Sequence, residues 1–206
     1  TMAAVFEASC ITHRRDAIFC GLLSQMPPSE SSKMKKIAQD ANYLHYLRTA
    51  CNLPEVLDVW FDEIAVDAWC VLRLKPCNPA VAWQALHAVM GRQYRVGKMV
   101  IAVDEDIDPS DRESVLWALA YRMMPEADLL VVPNRGVSLD PSGMPPGEDQ
   151  IDVIQHTLSG SAVLINAMRK WDYPPVSLPA KQYMERARQI WEEIGLPALS
   201  ARTPWH

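Results

Sequence analysis

Residues 98–122 read KMVIAVDEDIDPSDRESVLWALAYR, and the stretch resolves into strand, acidic turn and helix. Met99 to Val103 is a short, largely β-branched apolar run, too short for a helix and suited to a strand buried on both faces. The run breaks at Asp104. Asp108-Pro109, with Asp111 three residues after Asp108, fits a helix N-cap, a proline at the first helical position and a second acid near the amide-rich end. Val115, Leu116, Leu119 and Ala120, with Trp117 or Ala118 beside them, then share one helical face. The acids Asp104, Glu105, Asp106, Asp108 and Asp111 invite a magnesium or calcium reading. The glycine and terminal glutamate of a calcium loop are absent, however, and capping accounts for much of the cluster.

Outward from this stretch, 206 residues with 49% hydrophobic content suffice for one substantial core, or for a domain with appended helices. The net charge of -5 argues against a protein-wide attraction to nucleic acid or anionic lipid. Cys10, Cys20, Cys51, Cys70 and Cys77 are widely spaced among apolar neighbours with no CxxC pair, and read as reduced core thiols of a cytoplasmic protein. No run of about 18 apolar residues predicts membrane insertion, and the first residues lack a signal-peptide pattern. The chain starts and stops abruptly, on apolar alternation at one end and Trp205-His206 at the other, as a piece of a longer protein would.

Val5 to Ile11 and Ala17 to Leu23 read as two strands around a polar turn. Ser29 or Ser31 caps a helix running to about Cys51, with Met34, Ile37, Ala38, Ala41, Leu44 and Leu47 as its apolar stripe. His13 and His45 lack partners at metal-ligand spacing and read as structural, as do Trp60, Trp69 and Trp83. Val56 to Phe61 and Ile64 to Leu74 form a hairpin around Asp62-Glu63, and Asn78-Pro79 opens a helix, Ala80 to Gly91, stopped by Gly91 or Gly97. Asp128 to Val132 and Ser161 to Ile165 are further short buried strands. Strands alternating with helices predict an α/β fold: a mixed or parallel sheet with flanking helices and right-handed crossovers. The proline- and glycine-rich stretch 133–160 between the last two strands reads as a lid or binding loop leaving from the carboxyl ends of the strands, where such sheets bind ligands. Ser177 to Gly195 is an amphipathic helix whose aromatic face equally suits a subunit contact.

No nucleotide-binding glycine pattern follows a strand, and GxSxG, HExxH and P-loop motifs are absent. Several phrases nonetheless occur in a recognisable order: ITHRRDAI at 11–18, PPSE at 27–30, VDEDID at 103–108 with VLWA at 115–118, and NAMRKW at 166–171. In these the chain resembles the UbiD-type decarboxylases, the polyprenyl-hydroxybenzoate carboxy-lyase family.

The resemblance implies reversible decarboxylation of aromatic or α,β-unsaturated carboxylic acids, with prenylated FMN, a divalent metal (Mn or Mg) and K in the full-length enzyme. It places the catalytic arginine, paired glutamates and flavin phosphate site before the ThrHisArg phrase, so no catalytic, cofactor-binding or metal residue is expected in this chain. What remains is the C-terminal oligomerisation domain of a UbiD-like carboxy-lyase, inactive alone. The implied division is 1–25 as the end of the flavin-binding region, 26–53 a linking helix, 54–178 the α/β domain, and 179–206 a helix and truncated tail. The implied partners are further copies of the chain and the acid substrate. By position, Leu129, Val131, Ala167 and Met168 correspond to apolar positions facing the substrate, although they fit an ordinary core equally well. The alternative is a non-catalytic assembly subunit lending this fold to a separate catalytic chain.

Overall fold

The computed structural model describes residues 5–24, 26–93, 96–135, 142, 160–174, 177 and 179–198. Its centre is a five-stranded sheet in the order β1-β2-β3-β5-β4. The strands are β1 (Val56–Phe61), β2 (Trp69–Leu74), β3 (Met99–Asp104), β4 (Leu129–Arg135) and β5 (Gly160–Ala167). β2, β3 and β5 are parallel, while β1 and β4 run antiparallel at the edges. The mixed sheet with flanking helices agrees with the sequence expectation.

Alternation along the central strands sends side chains to two cores. Cys70, Leu72, Leu74, Val100, Ala102 and Leu164 pack beneath α1 (Glu30–Thr49) and α2 (Pro79–Arg92). Val71, Ile101, Val103, Ile165 and Ala167 pack beneath α3 (Arg112–Arg122). β3 faces both cores and buries every residue from Val100 to Asp104, which explains its unbroken apolar run.

Local chemistry sets several boundaries as expected. Ser29 caps α1 in a reciprocal box with Ser32, and Asn78 caps α2 with Pro79 in its first turn. Elsewhere the structure corrects the reading. Residues 5–24 form no strand and stand exposed, with Val5 and Ile18 both 95% accessible. A strand needs a partner for its backbone groups, and none lies beside this segment among the described residues. Cys10 and Cys20 are therefore exposed rather than core thiols. β2 begins at Trp69 rather than Ile64, because Asp62 Oδ1 accepts the Ile64 and Ala65 amides at 2.8 and 3.0 Å and folds 62–68 into a turn.

The stripe of α1 is also reassigned. Met34 and Ile37 face outward at 59% and 63% exposure, whereas Lys36 is buried, ion-paired to Asp40 and 3.1 Å from the centre of the Trp60 ring. A lysine that finds both a carboxylate and an indole can lie inside, its stem packing as an apolar chain. Helix α3 starts at Arg112 with Asp111 as its cap. Asp108 is spent on an earlier turn, accepting from Ser110 N and Oγ, so the helix opens three residues later than the proline predicts. Leu116 and Ala120 face solvent, and the buried face is Ser114, Val115, Ala118 and Arg122.

The direction of α3 determines the rest of the topology. Its first residue, Arg112, donates from Nε to Asp62 at 2.8 Å beside the amino ends of the parallel strands. Its last, Arg122, reaches Asp104 at 2.7 Å at their carboxyl ends. The helix thus runs with β3 rather than against it, and the short α4 (Pro125–Asp128) returns the chain into an antiparallel β4. No right-handed crossover forms at this step, since such a crossover requires a helix that runs back. Arg135, at the end of β4, pairs with Gly160, at the start of β5. The connection between them therefore leaves from the amino ends of the parallel strands, not the carboxyl ends; residues 136–159 except Ser142, most of the stretch read as a lid or binding loop, lie outside the described residues. α5 (Lys181–Glu193) follows, beginning after Ala180 rather than at Ser177. Among the described residues no helix is long and apolar enough to cross a membrane.

Candidate functional site

The carboxyl ends of β3 and β5 carry the two most distinctive phrases of the sequence, and the structure joins them. Asp104 closes β3, with its side chain 4% exposed. Its Oδ2 accepts from Arg122 Nη1 at 2.7 Å and from the Arg169 backbone amide at 2.9 Å. Arg122, equally buried, also donates from Nη1 and Nη2 to Asp106 at 2.8 and 2.6 Å. Partial burial by itself pushes the Asp106 carboxyl up, but the Arg122 guanidinium outweighs it and holds the group below the usual carboxylate range.

The turn after β5 is fixed a second time from its other side. Lys170 Nζ donates to the Asn166 and Met168 carbonyls at 2.9 and 2.7 Å and lies 3.0 Å from Asp128. Asn166 Oδ1 accepts the Met168 amide at 3.2 Å, and Asp128 Oδ2 accepts that of Met124 at 2.8 Å. Arg122, Asp128, Arg169 and Lys170 were not singled out from the sequence. The NAMRKW phrase was the signal for Arg169 and Lys170; Arg122 and Asp128 carried none, because only the tertiary structure brings them to these strand ends.

The four positions nominated as a substrate wall are placed differently. In the β4–β5 register Leu129 lies opposite Ile165 and Val131 opposite Val163, so both project to the α3 side, as does Ala167. Met168 belongs to the core under α1 and α2. Leu129 and Val131 are 38% and 55% exposed, whereas Ala167 and Met168 are buried. The fold thus brings Leu129, Val131 and Ala167 to one side of the sheet and Met168 to the other. His13 and His45 are exposed.

The arrangement holds backbone more than it offers reactive groups. Arg122, Arg169 and Lys170 each face a carboxylate or a carbonyl. The turns following Leu74, Asp104 and Ala167 carry no glycine to bring consecutive amides onto a phosphate, so the described residues do not fit a flavin phosphate. Among the described residues no group of three or more His, Cys, Asp or Glu side chains is gathered to hold a metal ion. Asp104, Asp106, Asp108 and Asp111 are engaged instead by Arg122, Ser110, Ser114 and the Glu113 amide.

A mixed sheet with two edge strands reversed, and strand ends tied by a buried aspartate–arginine pair, defines this as a mixed α/β domain. The chain belongs to the family of 3-octaprenyl-4-hydroxybenzoate carboxy-lyase C-terminal domains (UbiD), whose model matches residues 32–167. It is 28% identical over 201 residues to an uncharacterized protein of Aeropyrum pernix, covering 93% of this chain and 38% of that one. The chain therefore spans well under half the length of this relative. Among solved structures it is similar to the closed form of vanillic acid decarboxylase from Sedimentibacter hydroxybenzoicus, with TM-score 0.69 and 22% identity over 88% of this chain and 38% of that one. It is similar also to the UbiD-class enzyme HmfF from Pelotomaculum thermopropionicum in complex with FMN, with TM-score 0.60 and 23% identity over 77% of this chain and 34% of that one. At these identities the likeness is one of fold.

Proposed function

We propose that this chain is the carboxyl-terminal domain of a cytoplasmic decarboxylase acting on aromatic or α,β-unsaturated carboxylic acids. Prenylated FMN, with a divalent metal (Mn or Mg) and K, is held by another part of the enzyme. This domain contributes one wall of the substrate cleft and the self-assembly of the enzyme. Residues 1–25 end the flavin-binding region, 26–53 link it, 54–178 form the α/β domain and 179–206 the terminal helix and tail. The observation that carries the reading is the family match over residues 32–167, joined to the Asp104–Arg169 contact that makes one hydrogen-bonded unit of the family phrases at 103–108 and 166–171.

A decarboxylation needs an electron sink for the developing carbanion and a placed acid to return a proton. In this reading both come from the other part of the enzyme. Apolar side chains at Leu129 and Val131 suit an aromatic acid, because removing water from a carboxylate favours its loss. Ala167 and Met168 are buried, Met168 across the sheet from the other three, and in this reading they shape the cleft through the turn that Lys170 and Asp104 hold. The test has two parts. The purified 206-residue chain should carry no flavin absorbance and release no CO2 from aromatic acids, and turnover by it alone would overturn the reading. In the intact enzyme, Met168→Trp should shift substrate preference more than the melting temperature; the reverse would remove Met168 from the cleft. A non-catalytic subunit serving a separate catalytic chain is the second reading, and co-purification with a flavin-bearing partner chain would establish it.

A further inference from the structure

Helix α5 buries none of its residues, lacks a side-chain N-cap, and ends before Gly195 at φ +70. A 13-residue helix with a glycine C-cap, in which the Gly195 and Leu196 amides donate to the Glu192 and Trp191 carbonyls, but with no side-chain N-cap and no buried face, is marginal in water on its own. Its apolar residues are ordered. Tyr183, Ala187, Ile190 and Ile194 recur at intervals of four, three and four, the d-a-d-a seam of two heptads, and Tyr183, Ile190 and Ile194 are 66%, 42% and 64% exposed. Trp191, beside the seam, is turned to its own tail, with Nε1 donating to the Pro197 carbonyl at 2.7 Å.

The charges are ordered as well. Lys181, Arg186 and Arg188 outweigh Glu185 in the first turns, while Glu192 and Glu193 close the last. A parallel pair of such helices sets like charges side by side. An antiparallel pair sets the basic start of each against the acidic end of the other and opposes the two helix dipoles. In that direction the seam is self-complementary. In such a pair Tyr183 would meet Ile194 of the partner subunit and Ala187 would meet Ile190 of the partner subunit, a small residue against a large one in each central layer. Arg186 and Glu193 occupy the g positions that face each other across an antiparallel pair. Within one chain they already lie 3.2 Å apart, so both side chains are extended along the seam edge.

We propose that α5 is an assembly surface whose occupant is α5 of a second copy of this chain, docked antiparallel about a two-fold axis between Ala187 and Ile190. This rests on, and refines, the self-assembly part of the function proposed above. The apolar seam supplies the affinity, and the exposed charges, each weak, choose the direction.

The test is sedimentation equilibrium on the 206-residue chain, with far-UV circular dichroism and thermal unfolding to verify that each variant keeps its fold. The wild type should show a monomer–dimer equilibrium. Ile190→Asp should weaken it by at least about tenfold, and Arg186→Glu or Glu193→Arg alone by about threefold. Mixing the two charge variants should restore association, because each then meets its opposite across the interface although the pair within each helix stays broken. A dimer indifferent to these variants, or charge variants that mixing does not rescue, would overturn the α5 assignment and leave self-assembly standing. A chain that stays monomeric to its solubility limit would overturn both.

Discussion

Arg122 and Asp104, 18 residues apart, meet at 2.7 Å with each side chain 4% exposed, and the same Asp104 oxygen takes the Arg169 amide from β5. One carboxylate thereby ties the end of α3 to the ends of two neighbouring parallel strands. Arg122 retains a cost, since its Nε has no partner. Replacing it by methionine leaves the buried Asp104 carboxylate with only the Arg169 amide and the half-exposed Arg169 guanidinium 3.7 Å away, and urea denaturation should show a loss of about 3 kcal/mol. Adding Asp104→Asn to Arg122→Met should recover part of that loss, because no buried charge then remains.

Acid should unfold the domain through Asp62 and Asp106. Burial pushes the Asp62 carboxyl up, but Arg112 and the Ala65 and Ile64 amides bring it below its ordinary value; Asp106 is held down by Arg122 against the same opposing effect. A carboxylate with a depressed folded-state pKa contributes stability above its unfolded pKa of about 4 and loses it as pH falls through the folded value. The urea midpoint should therefore drop below about pH 4. Asp106→Asn should flatten that drop. Asp40 acts oppositely: burial raises its carboxyl despite Lys36, so its contribution declines as pH rises through the raised value.

Tyr43 is 2% exposed, its ring edge-on to Phe61 at 5.1 Å and beneath the Arg92 guanidinium at 4.7 Å, yet its hydroxyl has no partner. Burial pushes its pKa up to about 12. An unpaired buried hydroxyl opposes folding, and removing it keeps both ring contacts. Tyr43→Phe should leave stability unchanged or raise it by up to about 1 kcal/mol, measured by thermal and chemical unfolding.

Two glycines should respond to alanine with opposite signs. Gly97, at φ +79 before β3, has room for no Cβ: one placed there meets Val100 Cγ2 at 2.7 Å, and Gly97→Ala should destabilise by about 1–3 kcal/mol. Gly91, near the end of α2, has nothing within 4 Å of a Cβ, and Gly91→Ala should stabilise by about 0.5–1 kcal/mol. Melting temperatures of the two variants measured together check the pair.

Periodicity and capping are local, which is why β1, β3, α1 and α2 were legible from the residues themselves. Ser29 and Asn78 cap where their side chains reach their own helix amides, whatever packs nearby. The family phrases marked the right strand ends for the same reason, as contiguous residues at the close of β3 and β5. The partners of those phrases were not legible. Arg122 reads as a helix-terminal surface arginine until the direction of α3 puts it on Asp104.

By itself the sequence determined an α/β domain of the carboxy-lyase family, its main strands and helices, and the two phrases at its strand ends. Tertiary structure alone decided which way α3 and β4 run, that Lys36 turns inward while Met34 and Ile37 turn outward, and that Met168 lies across the sheet from Leu129, Val131 and Ala167. The reason is that hydrophobic period is the same for a strand running up or down, and for a helix packed on one neighbour or another. Only register and long-range pairing choose between those cases.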